Sequence, residues 1–409
     1  MNENIQQQIL AKASELNRNS SEHRAIVQEI VGELRAHVDG IRKLEETRIV
    51  SHVARLTAYT LGVPVSIPLS SNTLFTRGVK YSEDDGGVFY RKTSRLSYIP
   101  SEIAHKTRQN RLNKAGESIF YASLDTQNAS VSTVLAEIDA NKDDVINLLY
   151  SVTRGDKPGA LHIMPIGIMD YFRRGIPVPF NLHPTFKEIY ELLRKFANPI
   201  AMEAVHLCDE FMNSILTAKV SDKKNEESFG LYDVTCALAK DFLSAPQLDG
   251  ILYQSTKSSS FPNAALKPAS VDEKLRYAGA AAYKIVDKLG EAQFTLRCLG
   301  NGIVEDDQII WITINLWKTI PLAFIGSLVL TDSRKKLPIR RSDLLLTTHG
   351  RILRRDQFCE RLTLTRVVIV FVTGFYETDI RMLKCSSGYS QIFAKPFTCS
   401  RGLQRMKAR

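Results

Sequence analysis

The chain has 409 residues, 44% of them hydrophobic and 24% charged, and a formal net charge of +10. These are the proportions of an ordinary folded protein with enough chain for a large core and more than one structural unit. No apolar run approaches the ~18 residues that cross a bilayer, and Met-Asn-Glu-Asn-Ile at the start has neither the basic nor the apolar region of a secretory signal, so no membrane contact is expected and the expected address is the cytoplasm.

Residues 1 to about 62 carry helical periodicity. Ile5, Ile9 and Leu16 share one stripe, and Ile26, Ile30, Leu34 and Val38 a second. Asn19-Ser20-Ser21-Glu22 between them has the spacing of a capping box. Gly40 breaks the pattern, and Leu44 to Leu61 resumes it. The segment carries no chemistry; it is expected to pack on the main domain or to pair with a second copy as a homodimer.

Ser66 to Asp85 has the texture of a loop. Gly86-Gly87 introduces an expected strand at Val88-Phe89-Tyr90-Arg91, and Ser101 to Gln109 is a polar connection. Strands are expected at Ile119 to Ser123 and at Ala160 to Ile168, with a helix between them over Ser130 to Ile138. Thr185 to Val220 is expected to be helical with a break at Asn198-Pro199, because proline lacks the N–H and clashes with the preceding turn. Tyr232 to Leu243 and the alanine-rich Asp272 to Leu289 complete the expected helices.

Beyond about Leu330 no element has clean caps or a sustained period. Leu344–Leu346, Leu362–Phe371 and Tyr376–Leu383 are compatible with short strands or helices, and Val367 to Val372 has the apolar character of a buried strand. From Thr331 to Arg409 there are about 17 basic and 6 acidic side chains, a surplus of about +11, so the rest of the chain is close to neutral. This tail has no interleaved aromatics, and nucleic acid is not an expected partner. The six cysteines are scattered with no C-x-x-C pair, so neither a disulfide frame nor a metal site is expected.

Two polar constellations stand out. The first is Arg111-Leu112-Asn113-Lys114-Ala115-Gly116, followed by Ile119-Phe120-Tyr121-Ala122-Ser123. The second is Leu248-Asp249-Gly250-Ile251-Leu252-Tyr253-Gln254-Ser255, with Asn263 soon after. Each has the pattern of a strand that carries polar groups to a loop edge, where ligand chemistry is commonly placed. If the strands are neighbours, Arg111, Tyr121 and Ser255 converge on one cleft.

These residues resemble the RES domain, in which Arg-x-Asn-x-x-Gly is followed by a strand tyrosine, a helix glutamate and a late Asp-Gly-x-x-Tyr-x-Ser with an asparagine. The resemblance covers roughly Gly87 to Pro268. It implies an α+β fold with a small β-sheet core of ADP-ribosyltransferase-like type, flanked by helices and preceded by the helical leader. The domains implied are a helical region over 1–75, a RES-like domain over 76–295 and a basic extension over 296–409. The implied activity is cleavage of the nicotinamide–ribose bond of NAD+, by hydrolysis, phosphorolysis or ADP-ribosyl transfer. NAD+ is then a substrate, with no permanently bound cofactor, and the resemblance extends to toxins partnered by an antitoxin protein.

That reaction builds positive charge on the ribose, so the site must hold the pyrophosphate and set negative charge beside the developing cation. The resemblance assigns catalytic roles to Arg111, Tyr121, Glu137 and Ser255, and binding roles to Arg91, Asn113, Tyr253 and Asn263. A guanidinium fork suits phosphate oxygens, and a tyrosine can stack on nicotinamide or bond the ribose. The family glutamate lies about eleven residues after the tyrosine, a position held here by Ser132. The first acid on the helix is Glu137, which a local insertion around Asn128 to Ser130 would bring into place. The alternative is a non-catalytic RES-like module that binds a nucleotide or a protein.

Overall fold

The computed structural model describes residues 3–60, 62–82, 88–125, 130–178, 185–219, 227–258 and 262–313, and short strands beyond. The chain divides into Met1–Thr313 and Ile314–Arg409. Within the second unit, Leu328–Asp332 pairs antiparallel with Val367–Phe371, Leu345–Leu346 with Ile352–Leu353, and Arg381–Lys384 with Ser390–Phe393. Other parts of the expected 344–346, 362–371 and 376–383 elements lie outside the described residues.

The leader forms three helices, α1 (Glu3–Asn17), α2 (Ser20–Val38) and α3 (Glu46–Thr57). The capping box does not form. Asn19 has φ 56° and makes no side-chain cap bond, because it turns the tight corner between α1 and α2 in the left-handed conformation that asparagine tolerates. Downstream come α4 (Ser130–Glu137), α5 (Ile168–Arg174), α6 (Thr185–Phe196), α7 (Pro199–Thr217), α8 (Glu227–Ser244) and α9 (Pro268–Lys274). The predicted break is real: Pro199 opens α7, and the Asn198 side chain accepts the Ala201 N–H at 2.8 Å.

The strands are β1 (Val65–Pro68), β2 (Leu74–Lys80), β3 (Phe120–Leu124), β4 (Val145–Thr153), β5 (Ala160–Pro165), β6 (Gly250–Gln254), β7 (Pro262–Leu266), β8 (Leu275–Gly290), β9 (Gln293–Glu305) and β10 (Gln308–Thr313). They lie in the order β1-β5-β6-β7-β3-β2-β4-β8-β9-β10, with β5–β6 the one parallel pair along this path. The α+β class holds, but the sheet is larger than the small core expected. Three readings account for the difference. The supposed loop from Ser66 contains β1 and β2; β4, β7, β9 and β10 carry no expectation; and the alanine-rich helix is the strand β8 after a single short helix, α9. Ala280 and Ala282 stand opposite Gly302 and Gly300, and a Cβ on Gly302 would fall 3.1 Å from that of Ala280. Small residues there serve close strand packing, not helix propensity. The β8–β9 hairpin also runs through residue 296, so the first unit continues to Thr313 and includes the leader.

One face of the sheet, through Ile251, Tyr253 and Ala265, shares a core with α2, α3, α7 and α8, including Leu34, Val53, Phe211, Val234 and Leu238. Each such fully buried side chain contributes about 2 kcal/mol. The opposite face, through Phe75, Phe120, Ala122, Leu252 and Ala264, packs against Ile168 and Val271. The leader therefore completes this unit's own core. Among the described residues no helix is long and apolar enough to cross a membrane.

Candidate functional site

The strand register alone aligns the polar residues. Tyr253 of β6 stands opposite Asn263 of β7, Asn263 opposite Ser123 of β3, and Ser123 opposite Thr76 of β2. Directly opposed residues share a face, so this row crosses four strands on the helix-covered side. Helix α4 lies over the same face. A Cβ on Gly78, two residues beyond Thr76, would come within 2.5 Å of the Val134 side chain, so glycine permits the close approach. Thr76 and Ser130 tie strand to helix, Oγ1 to Oγ, at 2.9 Å.

Glu137 ends α4 and reaches this row. Its Oε1 accepts from Ser255 Oγ at 2.5 Å, from the Thr256 backbone N–H at 3.1 Å and from Asn263 Nδ2 at 2.8 Å. The Ser255 oxygen is itself fixed by the N–H groups of Lys257 and Ser258 at 3.2 and 3.0 Å. Glu137 Oε2 accepts nothing from the described residues. The carboxylate is thus rigidly held on one oxygen and open on the other.

Tyr253 lies beside it, only 5% exposed, and its hydroxyl has no hydrogen-bond partner among the described residues. Burial pushes its pKa up. The negative charge of Glu137 adds to that rise, and the positive charge of Arg111 opposes it. One hydroxyl therefore feels both charged residues expected at the site. Ser123, in the same row, has a buried Oγ without a partner. It was not among the expected residues, although its place two positions after Tyr121 on a strand puts both on one face.

Asp249 and Gly250 set the frame and not the chemistry. Asp249 Oδ2 accepts from the His162 N–H at 2.7 Å and Lys274 Nζ at 2.8 Å, and Oδ1 from Ser270 Oγ at 2.7 Å. A Cβ on Gly250 would meet Leu266 at 2.4 Å and the Ala265 carbonyl at 2.5 Å. This half of the motif locks β5, β6, β7 and α9 together.

The first constellation is closed on itself. Arg111 Nη1 donates to the carbonyls of Ile215 and Leu216 at 3.1 and 3.0 Å, and Nη2 to that of Ala218 at 2.8 Å. It caps the C-terminal end of α7, where unpaired carbonyls and the helix dipole favour a cation. The expected free phosphate fork is therefore already occupied. Tyr121 donates its hydroxyl to Asn113 Oδ1 at 2.8 Å and accepts the Leu112 N–H at 3.0 Å, while burial raises its pKa. Asn113, 3% exposed, donates to the carbonyls of Lys114 and Glu117 at 3.0 and 3.2 Å. These three side chains brace the 108–117 loop.

Arg91 is not brought to the site. Residues 88–91 form no strand; the segment makes an isolated bridge at Lys92–Gln308, and the Arg91 carbonyl accepts the Ile309 N–H at 2.7 Å. Neighbouring Tyr90 packs with Leu149, Ala280 and Ile309, residues of the opposite face, and the Arg91 side chain is exposed. The structure thus unites Tyr253, Glu137, Ser255 and Asn263, sets Arg111, Asn113 and Tyr121 in an adjoining brace, and separates Arg91. Compared with known proteins, the chain matches no family model, no curated protein and no solved structure.

Proposed function

We propose that this chain cleaves the nicotinamide–ribose bond of NAD+, passing the ribosyl carbon to water, phosphate or a protein side chain. The observation that carries this reading is the Glu137 carboxylate, fixed through one oxygen by Ser255, Thr256 and Asn263 with the other left open beside the Tyr253 hydroxyl. A fixed anion of this kind suits a reaction that generates an oxocarbenium-like ribose, since its charge needs no reorganisation as the cation forms. The C1′–N bond breaks with its electron pair leaving on nicotinamide. The acceptor oxygen then bonds to C1′ and gives up its proton. Tyr253 would hydrogen-bond the ribose, and Ser255 and Asn263 would keep Glu137 aimed. Arg111, Asn113 and Tyr121 would act from outside, by holding the adjoining loop. In this reading NAD+ is the partner, and an antitoxin protein would act by covering the cleft.

Incubating purified protein with NAD+ and measuring free nicotinamide tests this. Wild type should release it, and Glu137→Gln should fall by ~10²–10⁴-fold. Intact NAD+ after prolonged incubation with folded protein would overturn the proposal. A second reading, a module that holds a nucleotide without cleaving it, is favoured by one observation: the Arg111 fork is occupied by the carbonyls of α7. Calorimetry showing saturable NAD+ binding with no nicotinamide released would select it.

A further inference from the structure

A cavity lies where β5 ends, among α5, α6, α7 and α8. Met164 of β5, Met169 of α5, Phe186 of α6, Met212 of α7 and Phe242 of α8 line it, and Asp209 of α7 is the one charged residue in its lining. The chain reaches this arrangement through Gly167. Its φ of 81° turns β5 into α5 so close to α7 that a Cβ there would fall 2.5 Å from the Asn213 side chain. Asp209, one turn before Asn213, then meets the start of α5. Its Oδ1 accepts the Gly167 N–H at 3.2 Å and its Oδ2 the Asp170 N–H at 3.1 Å, with a further backbone bond from Met169.

These bonds leave the charge uncompensated. Asp209 is 8% exposed, and among the described residues no Lys, Arg or His pairs with it. Two other buried carboxylates differ. Asp170 is shared by Arg173 and Arg174 at 2.6 and 2.8 Å, and Asp249 has Lys274 at 2.8 Å. Burial pushes the Asp209 pKa up to about 6 against the pull of its backbone bonds, and the Asp170 charge adds to the rise. A buried anion without a counter-charge is unfavourable. A cation in the adjoining cavity would remove that penalty through charge-assisted bonds to the lone pairs that the backbone leaves free.

Size and lining choose the cation. The cavity measures about 30 Å³, and one water-sized group takes about 10–15 Å³, so two such groups fit. A hard metal ion seeks about six oxygen ligands. The lining side chains here are thioether, ring and alkyl apart from Asp209 and Thr60, and the Thr60 hydroxyl is spent on the Thr57 carbonyl at 2.7 Å. A primary ammonium with one carbon matches both ends, its nitrogen on the carboxylate and its methyl against methionine sulfur and aromatic rings.

We propose that Asp209 and this cavity form a binding site for one small primary ammonium ion, methylammonium in size. The site shares no residue with the Glu137 row, so it stands or falls apart from the NAD+ reading.

NMR titration of the full chain carrying isotope-labelled methionine methyl groups tests it. Methylammonium chloride should shift the Met164, Met169 and Met212 signals saturably and leave Met202, a buried methionine outside the cavity lining, unmoved. Sodium chloride at equal ionic strength, and methanol as the neutral analogue of the same size, should shift none of them. In Asp209→Asn the affinity should fall at least ~10-fold, because the charge-assisted bond is lost. No response, a response that spreads to Met202, or an equal response to sodium or methanol would overturn the proposal. So would undiminished affinity in Asp209→Asn. Should that variant fail to fold, the three solutes on wild type decide the matter alone. The response should persist in Glu137→Gln whether or not nicotinamide is released.

Discussion

The two polar constellations use similar residue types, yet the fold treats them in opposite ways. In the first, Arg111, Asn113 and Tyr121 have partners within the protein, and each bond braces a loop or a helix end. In the second, the opening residues Asp249 and Gly250 are just as fully engaged, but the closing residues leave Glu137 Oε2 and the Tyr253 hydroxyl with no described partner. The contrast teaches that residue identity in a motif does not separate brace from site. What separates them is whether hydrogen-bonding capacity remains once the fold has taken its share.

The largest expected effect lies at Asp249. Replacing it with alanine takes the carboxylate from the mostly buried Lys274 ammonium, which keeps only the Ala160 carbonyl, and from the His162 N–H, at a cost of about 3 kcal/mol, measured by urea unfolding. A loss under about 1 kcal/mol would place Asp249 with the open groups and break the comparison. Next comes Arg111→Met, which strips three carbonyls at the end of α7 of their donor. It should cost about 1–3 kcal/mol and speed amide exchange in the last turn of α7. If stability and exchange stay unchanged while NAD+ binding disappears, Arg111 is a ligand residue and the two constellations are alike. Tyr121→Phe should cost about 1–2 kcal/mol, because the Leu112 N–H and Asn113 Oδ1 each lose a partner. A neutral outcome would mean that water replaces the hydroxyl and the loop does not depend on it.

How much of this was legible in the sequence depends on which force set each element. Leader helices, α4, α6 and α7 announce themselves by period, and Asn198-Pro199 by backbone chemistry; there local preference and tertiary packing agree. β8 was hidden because Ala280 to Ala282 favour a helix in isolation, and only the facing glycines of β9 explain their place in a strand. β1 and β2 were hidden by length: short strands with polar interruptions such as Thr76 and Arg77 lack a visible alternation. Of the site, the meeting of Ser255, Asn263 and the acid at the end of α4 followed from motif order. Glu137, five residues beyond the family position at Ser132, is the first acid on that helix and ends its apolar run, and the structure brings its carboxylate to Ser255 and Asn263. The bonding state of Arg111 was not legible, since its acceptors lie on α7, more than a hundred residues away in sequence. Arg91 was misplaced for the same reason: the chain around it is anchored by β10.

The smallest stability effects are expected at the open end of the second constellation, and they sharpen the contrast most. Ser255→Ala removes one of three bonds to Glu137 Oε1 while the Thr256 N–H and Asn263 Nδ2 remain, so the cost should stay near 0.5–1.5 kcal/mol. Glu137→Gln should cost less still, within about 0.5–1 kcal/mol, because an amide oxygen can accept the same three bonds and only the charge and the unpartnered oxygen are altered. A residue whose loss scarcely changes folding but abolishes nicotinamide release is held in place for chemistry. Urea unfolding and nicotinamide assays on the same two variants therefore test the comparison directly. If Glu137→Gln instead unfolds the protein as readily as Asp249→Ala, the carboxylate is a structural anchor, and both constellations are braces of one fold.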